Sequence, residues 1–515
     1  MRQFIARHAS KISGVLSGFD RVVFRGQLLN LCHAEGVKQF FRSQKILLKD
    51  FGKFVEATTG VLRSTAIEAV NRLGLPVRYI ESSRVRKEDV ARAIAEERKI
   101  ETGPICVLSA LEGCSTWKIL RSKQEQTQEP KRIPGKCVHN YHYFQHEQLG
   151  FMHVREQTWM PYMVQICVNG REWLARALEL NGHGFVRAGN CFLSLANPTA
   201  AQEIFNGMLD LPWAKILNAV TFEANPFLQT IQEMTGAPLH WTIHQSEWAT
   251  DVMFKDPQQL VALYPSLTRH AISNFESPNV MRFLGKRLVP QFKGEVVSNW
   301  TRRPEGVCVR HAAGKNAIKM YDKRAALLRV ETTIQKPADF KRKRRAQGKP
   351  ESPSIPRPMR KGIADIKPRA AVSQAANARY LDALSVIDLD KTVHQVLGDV
   401  LAPAELAGKR VRPLHPWSDP DLSLLRAISH GEFILSGFRN RDVRALLQPK
   451  LPDDPVERAR QRARITRQIR MLRAHRLVEK VKRTHRYRVT QKGQAVIAAV
   501  LATNDASVSK LKQCA

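Results

Sequence analysis

No glycine-rich phosphate loop, no CxxC pair and no long apolar run occurs anywhere in this chain. Without the first, a nucleotide-binding site after any of the expected strands is not supported. The eight cysteines (Cys32, Cys106, Cys114, Cys137, Cys167, Cys191, Cys308, Cys514) are scattered, which argues against a zinc ribbon and suits free thiols in a reducing compartment. A membrane span needs about 18 consecutive apolar residues, and neither that nor a lipidation signal is present. The opening MRQFIARHASKISGVLSGFD lacks a continuous apolar stretch and a small-residue cleavage site, so it is not read as a signal peptide and a cytoplasmic chain is expected. Acidic residues are also scarce: 47 Asp and Glu stand against 82 Lys and Arg, a formal net charge of +35 spread along the molecule. Such a field favours phosphate-rich polymers and makes binding steeply salt-dependent. Hydrophobic residues, at 43% of 515, are enough to build about three globular domains.

The stretch from Pro420 to Val500 is the most informative. Leu422, Leu425 and Ile428 recur at helical spacing, Ser436 stands as a cap before a second helix, and Pro452 with Asp453 and Asp454 opens a third. In the third helix Ile465, Ile469 and Leu472 bury one stripe, while Arg460, Arg464 and Arg467 project from the other side with Arg470 at its edge. Leu477, Val478 and Val481 lead into a strand, Thr484 and His485 mark a turn, and Arg486 to Val489 return. Between Pro455 and Arg488 there are thirteen Lys or Arg and two Glu. This order predicts a winged helix-turn-helix that places its third helix in the major groove of DNA, with the hairpin on the adjacent backbone. The expected contacts are Arg460, Arg464, Arg467, Arg470, Lys482, Arg483, Arg486 and Arg488. An arginine-rich helix that is only a solvated face is the plainer reading, but helix order, stripe phase and hairpin charge agree on binding. Through Tyr487, Arg488, Val489, Thr490, Lys492 and Gly493 the segment resembles the winged-helix part of MarR-type regulators.

Residues 1–135 read as an α/β unit, with strands at Arg21–Phe24, Pro76–Ile80 and Pro104–Leu108 and helices at Val61–Leu73 and Lys87–Glu97. Val77 to Leu108 is a βαβ unit with parallel strands. Sites form at the carboxyl ends of such strands, which places Glu81 and Glu112 at one rim, with Asp20 joining them if its strand lies in the same sheet. Three convergent carboxylates would hold Mg²⁺ or Mn²⁺ for phosphodiester chemistry. Ordinary strand-end carboxylates paired with the abundant arginines are the alternative.

Residues 136–335 form a mixed α+β middle domain. Cys137, His139, His142, His146 and His153 lack tetrahedral metal spacing, and structural or base-stacking roles suit His139, Tyr141 and Tyr143 better. Trp248 to Asp251 adds one more acidic residue, Asp251. From Glu295 to Ile334 the sequence predicts three or four antiparallel strands with turns at Pro304–Gly306 and His311–Asn316. A tyrosine flanked by lysines, across a hairpin from an Arg and a Glu, has the parts for nucleophilic attack on a phosphodiester. This run, MYDKRAALLRVE, resembles the YxK and RxE hairpin of replication initiators from small plasmids and filamentous phages. The resemblance implies nicking or strand-transfer roles for Tyr321, Lys323, Arg329 and Glu331, although the paired-histidine metal motif of that group is absent.

Residues 336–415 read as a basic, Pro-rich connector followed by helices. From Lys341 to Arg369 it holds five Pro and eleven Lys or Arg, so an extended arm is expected, with Lys341, Arg342, Lys343 and Arg344 on phosphate. Residues 416–503 are read as the winged helix. Taken together, GFDRVVFRGQL, QTWMPYMVQICVNGREWLAR, SEWATDVMF, KMYDKRAALLRVETTI and GFRNRDVRALL resemble a large group of uncharacterised bacterial proteins, which implies a link to mobile DNA and assigns no catalytic residue. The expected fold is therefore multidomain α+β. Three functions stay open: a nucleoid-associated, DNA-processing protein of a mobile or replicating element, a transcriptional regulator without chemistry, or an RNA-binding protein using Tyr141, Tyr143 and Phe144.

Overall fold

The computed structural model describes residues 1–121, 128–286, 295–303, 306–345, 348, 351–385, 393–430, 433, 437–449, 452–481 and 484–506. It is mixed α+β with a large, mostly antiparallel sheet. In chain order the strands up to Ile334 are β1 (Ile12–Gln27), β2 (Val77–Tyr79), β3 (Gly103–Arg121), β4 (Gln128–His146), β5 (Gly150–Gln157), β6 (Val164–Asn169), β7 (Phe185–Ala188), β8 (Cys191–Leu195), β9 (His240–Phe254), β10 (Val296–Arg303), β11 (Gly306–Ala313), β12 (Asn316–Lys323) and β13 (Leu327–Ile334). The chain divides into two compact units, one of Gly14–Asp251 with Glu331–Gln374, the other of Met1–Ser13, Val252–Val330 and Ala375–Ala515. The boundary expected at residue 135 falls inside β4, because β3 and β4 pair along their whole length.

In the first unit the strands lie in the order β13-β9-β1-β6-β5-β4-β3-β2, with β13 contributing its residues from Glu331. β1 pairs antiparallel with β6, Val23 opposite Cys167, and β4 pairs antiparallel with β5, His142 opposite Val154. β2 and β3 are parallel, with the helix Lys87–Glu97 between them, so the βαβ unit is present as expected. Ala91 and Ile94 of that helix pack on Ile105, Leu108, Tyr143 and Phe151; each such large apolar side chain contributes about 1.5–3 kcal/mol by leaving water. The helix expected to begin at Val61 spans Phe51–Asn71, since Phe51, Val55 and Thr58 extend the buried stripe of Leu62, Ala66 and Val70. β9 is buried on both faces from Ser246 to Phe254.

The segment expected to be an extended connector is folded instead. Lys341–Arg344 pairs antiparallel with Ile355–Pro358, and a helix runs from Ile366 to Leu384. Arg369 is fully buried there, donating to the carbonyls of Ile243 at 3.0 Å and Ile334 at 3.3 Å. Burial lowers its pKa to about 10, with Asp365 opposing. A guanidinium that satisfies strand-end carbonyls lets this basic segment pack.

In the second unit β10, β11, β12 and β13 follow one another, with Trp300 opposite Val309 and His311 opposite Ile318. The turn expected between His311 and Asn316 is made at Gly314, whose φ of 62° suits glycine. The carboxyl-terminal part holds helices Asp419–Ile428, Asn440–Leu447 and Pro455–Ala474, short antiparallel strands Val478–Lys480 and Tyr487–Val489, and a last helix Gln491–Asn504. These share one core through Leu425, Ile428, Phe438, Val443, Ile469, Leu472 and Val496. Asp421, fully buried, accepts both terminal nitrogens of Arg412 at 2.6 and 2.7 Å, tying the approach segment to the first of these helices. Pro304, Ser436, residues 122–127 and the last nine residues lie outside the described residues. Among the described residues no helix is long and apolar enough to cross a membrane.

His311 offers a test of this packing. Its ring nitrogens lie 2.7 Å from Ser298 Oγ and 3.2 Å from Tyr380 Oη, beneath Phe275, and burial pushes its pKa down to about 4. The unfolded chain takes up this proton near pH ~6.5, so stability falls as pH drops from there toward the folded value. In His311→Gln, melting temperature measured between pH 7 and 4 is expected to decline less steeply than in the native chain.

Candidate functional site

Two features of the structure carry chemistry. The first is the helix Pro455–Ala474. Asp454 caps it, accepting from the amides of Val456 at 3.0 Å and Glu457 at 3.2 Å, and proline occupies the first helical position where no donor is needed. Ile465, Ile469, Met471 and Leu472 are buried, and Arg460, Arg464 and Arg467 are exposed. Asn440 ties the preceding helix to this one, donating to Thr466 Oγ1 at 2.9 Å. Gly437, at φ 65°, lets the chain pass Tyr487, because a Cβ there would meet the Tyr487 carbonyl at 2.4 Å. The expected contact residues differ in how firmly they are held. Arg488 donates to Glu479 Oε1 at 2.5 and 3.1 Å, Arg460 lies 3.5 Å from Glu457, Arg486 donates to the Gly437 carbonyl at 3.1 Å, and half-buried Arg470 points to the Leu406 carbonyl at 3.5 Å. Among the described residues no carboxylate lies within ion-pair distance of Arg464 or Arg467. Lys482 and Arg483 lie outside the described residues.

The second feature is a group of carboxylates. Asp20 on β1, Glu247 on β9 and Glu331 on β13 each place one oxygen within 4.8 Å of the others. Glu247 accepts from Arg21 at 2.8 Å and Gln245 at 2.9 Å, and Asp20 accepts from Asn190 at 2.7 Å. The fully buried Arg171 lies 3.1 Å from Asp251 and 3.7 Å from Asp20. Burial alone would lower the Arg21 pKa, yet Glu247, and then Glu331, raise it. Glycines make this packing possible. A Cβ on Gly170 would fall 1.9 Å from the Phe19 carbonyl, and one on Gly18 would fall 2.1 Å from the Phe205 ring. That ring lies under the Arg171 guanidinium, 5.0 Å from centroid to carbon. Carboxylate oxygens are the donor type that Mg²⁺ and Mn²⁺ take.

The expected trio of Asp20, Glu81 and Glu112 does not meet. Glu112 is on β3, with β6, β5 and β4 lying between it and β1, so at ~4.8 Å per strand the two are roughly 19 Å apart. It is held by Lys87 at 3.0 Å, Arg155 at 2.8 Å and the Tyr141 hydroxyl at 2.8 Å, which outweigh burial and bring its pKa down to about 2. Glu81 is exposed beyond β2. The expected hairpin set also divides. Tyr321 is half-buried opposite Cys308, with the Lys319 ammonium 5.7 Å from its ring; Lys323 and Arg329 are buried, and Glu331 joins the carboxylates. Lys341 and Lys343 are exposed, while Arg342 pairs with Asp365 at 3.1 Å. His142 lies 3.0 Å from Glu156 in a buried pair, and Tyr141 and Tyr143 are buried, which turns the β4 aromatics inward. Glu247 was missed by sequence reasoning. Its signal is a carboxylate, repeated four residues later by Asp251, on a strand whose other residues are suited to burial. The chain matches no family model, no curated protein and no solved structure.

Gly170→Ala is expected to destabilise the protein by roughly 3 kcal/mol, since backbone must move to relieve the overlap. Chemical denaturation of that variant beside Gly207→Ala, whose Cβ would meet nothing within 4 Å, checks it.

Proposed function

We propose that the protein binds duplex DNA through its carboxyl-terminal helices and hairpin, used as a winged helix, in the processing of mobile or replicating DNA. The observation that carries this reading is the pair Arg464 and Arg467, exposed on a helix whose opposite stripe is buried. The major groove admits a helix, and arginine reaches the O6 and N7 of guanine with two hydrogen bonds. Arg460 and Arg488, each with a glutamate beside it, suit phosphate contact, because exchanging an exposed ion pair for a phosphate costs little. After selection of a preferred duplex, Arg464→Ala and Arg467→Ala are each expected to weaken binding by about 1–3 kcal/mol. Fluorescence anisotropy at fixed salt measures this, and native affinity in both variants would refute the groove assignment. A regulator without chemistry predicts the same weakening; an RNA-binding protein predicts that structured RNA competes better than duplex DNA.

Asp20, Glu247 and Glu331 favour a second reading, metal-assisted phosphodiester chemistry. A divalent ion there would supply a Lewis acid for the phosphate. The chain's part is to hold the carboxylates together, with Arg21 and Arg171 offsetting their repulsion. Mn²⁺ titration followed by electron paramagnetic resonance is expected to show a site that Asp20→Asn and Glu247→Gln weaken at least tenfold. Unchanged binding in both variants would remove this reading, as would no binding by the native chain.

A further inference from the structure

The strand pair Lys341–Arg344 and Ile355–Pro358 is a two-stranded ribbon of unusual charge. Arg342 stands directly opposite Arg357, an arrangement that destabilises a ribbon unless something negative lies between or beside the two. Asp365 supplies one such charge, accepting from Arg342 at 3.1 Å and from the Arg360 amide at 2.7 Å. Arg344 is held below the usual arginine range, by burial first and then by Arg360, Arg342 and Arg357, with Asp365 opposing. Of these guanidinium groups Arg342 is the one that pairs with Asp365, while the charges of Arg360, Arg342 and Arg357 all act on Arg344. On the other face Lys341 and Lys343 are exposed. Pro356 and Pro358, at alternate positions, have no N–H to offer, so that strand cannot recruit a further strand through them and the ribbon stays narrow.

We propose that this ribbon is a second nucleic-acid contact that enters the major groove of duplex DNA, with Lys341, Lys343, Arg342, Arg344 and Arg357 on the phosphates that line it. The inference rests on the DNA-binding reading. A major groove about 12 Å wide takes a two-stranded ribbon, whereas the deep, narrow major groove of duplex RNA does not admit side chains. DNA is therefore the occupant that geometry and charge favour together.

The test is the salt dependence of binding to a 30-base-pair duplex, followed by anisotropy across a series of KCl concentrations with the full-length protein. The slope of log K against log salt falls by about 0.9 for every phosphate that the protein no longer neutralises. Lys341→Ala/Lys343→Ala, which removes only exposed side chains, is expected to lower the slope by roughly 2. Arg344→Ala/Arg357→Ala is expected to act alike, with its melting temperature recorded beside it so that unfolding is told apart from weaker phosphate binding. A native slope in the lysine variant, while the native protein binds duplex DNA, overturns the ribbon and leaves the carboxyl-terminal reading standing. No duplex binding by the native protein overturns both. An equal or greater fall in slope on duplex RNA than on DNA overturns the groove assignment.

Discussion

Charge buried within a sheet has to be balanced where it lies, and that constraint organises the strands around β1 and β9. Asp20, Glu247, Asp251 and Glu331 draw together with Arg21 and Arg171 in a region where several of these groups have no access to water. A single carboxylate left there without a cation would cost several kcal/mol. The glycines at 18 and 170 and the ring of Phe205 are explained by the same demand, since they bring helix and strand close enough for Arg171 to reach both aspartates. Replacing a buried charged set with apolar groups of similar volume is often neutral or stabilising. Buried ion pairs of this kind are therefore weak evidence for stability.

A different balance holds where the basic side chains meet solvent. With 82 Lys and Arg against 47 acidic residues, cations exceed carboxylates by 35, so one-to-one pairing cannot answer them all. Some are nonetheless tied down: Arg488 by Glu479, Arg412 by Asp421, Arg155 by Glu112, Arg369 by main-chain carbonyls. The exposed Arg464 and Arg467 are of another kind, as are the crowded arginines around Asp365. Tied cations give specificity to the fold; crowded or unanswered ones hold potential that a polyanion can discharge, at a rate and affinity governed by ionic strength.

Local patterns were the legible part. The βαβ unit, the capped helix from Pro455 with its stripe of Ile465, Ile469 and Leu472 and the turn at Gly314 follow from short-range spacing and cap chemistry. Strand lengths were not. β9 shows why: from Ser246 onward its residues are buried on both faces and the alternation that marks a half-exposed strand disappears. The connector misled for a related reason: Pro and Arg content describes a chain in water, and says nothing of carbonyls waiting to accept from Arg369.

Candidate residues followed the same division. Residue type and periodicity alone determined that the chain is strongly basic, that its third carboxyl-terminal helix separates an apolar stripe from an arginine stripe, and that Asp20 and Glu331 are chemically notable. Which carboxylates meet was decided by strand order. Asp20 and Glu112 are both strand residues near the start of the chain, yet three strands lie between theirs, while Glu247, far from Asp20 in sequence, sits on β9 beside β1 and Glu331 on β13, the next strand out. Strands adjacent in sequence often pair, as β3 to β6 and β10 to β13 do, but the long-range pairings of β1 with β9 and of β9 with β13 follow from no local pattern, and they brought these charges within reach of one another.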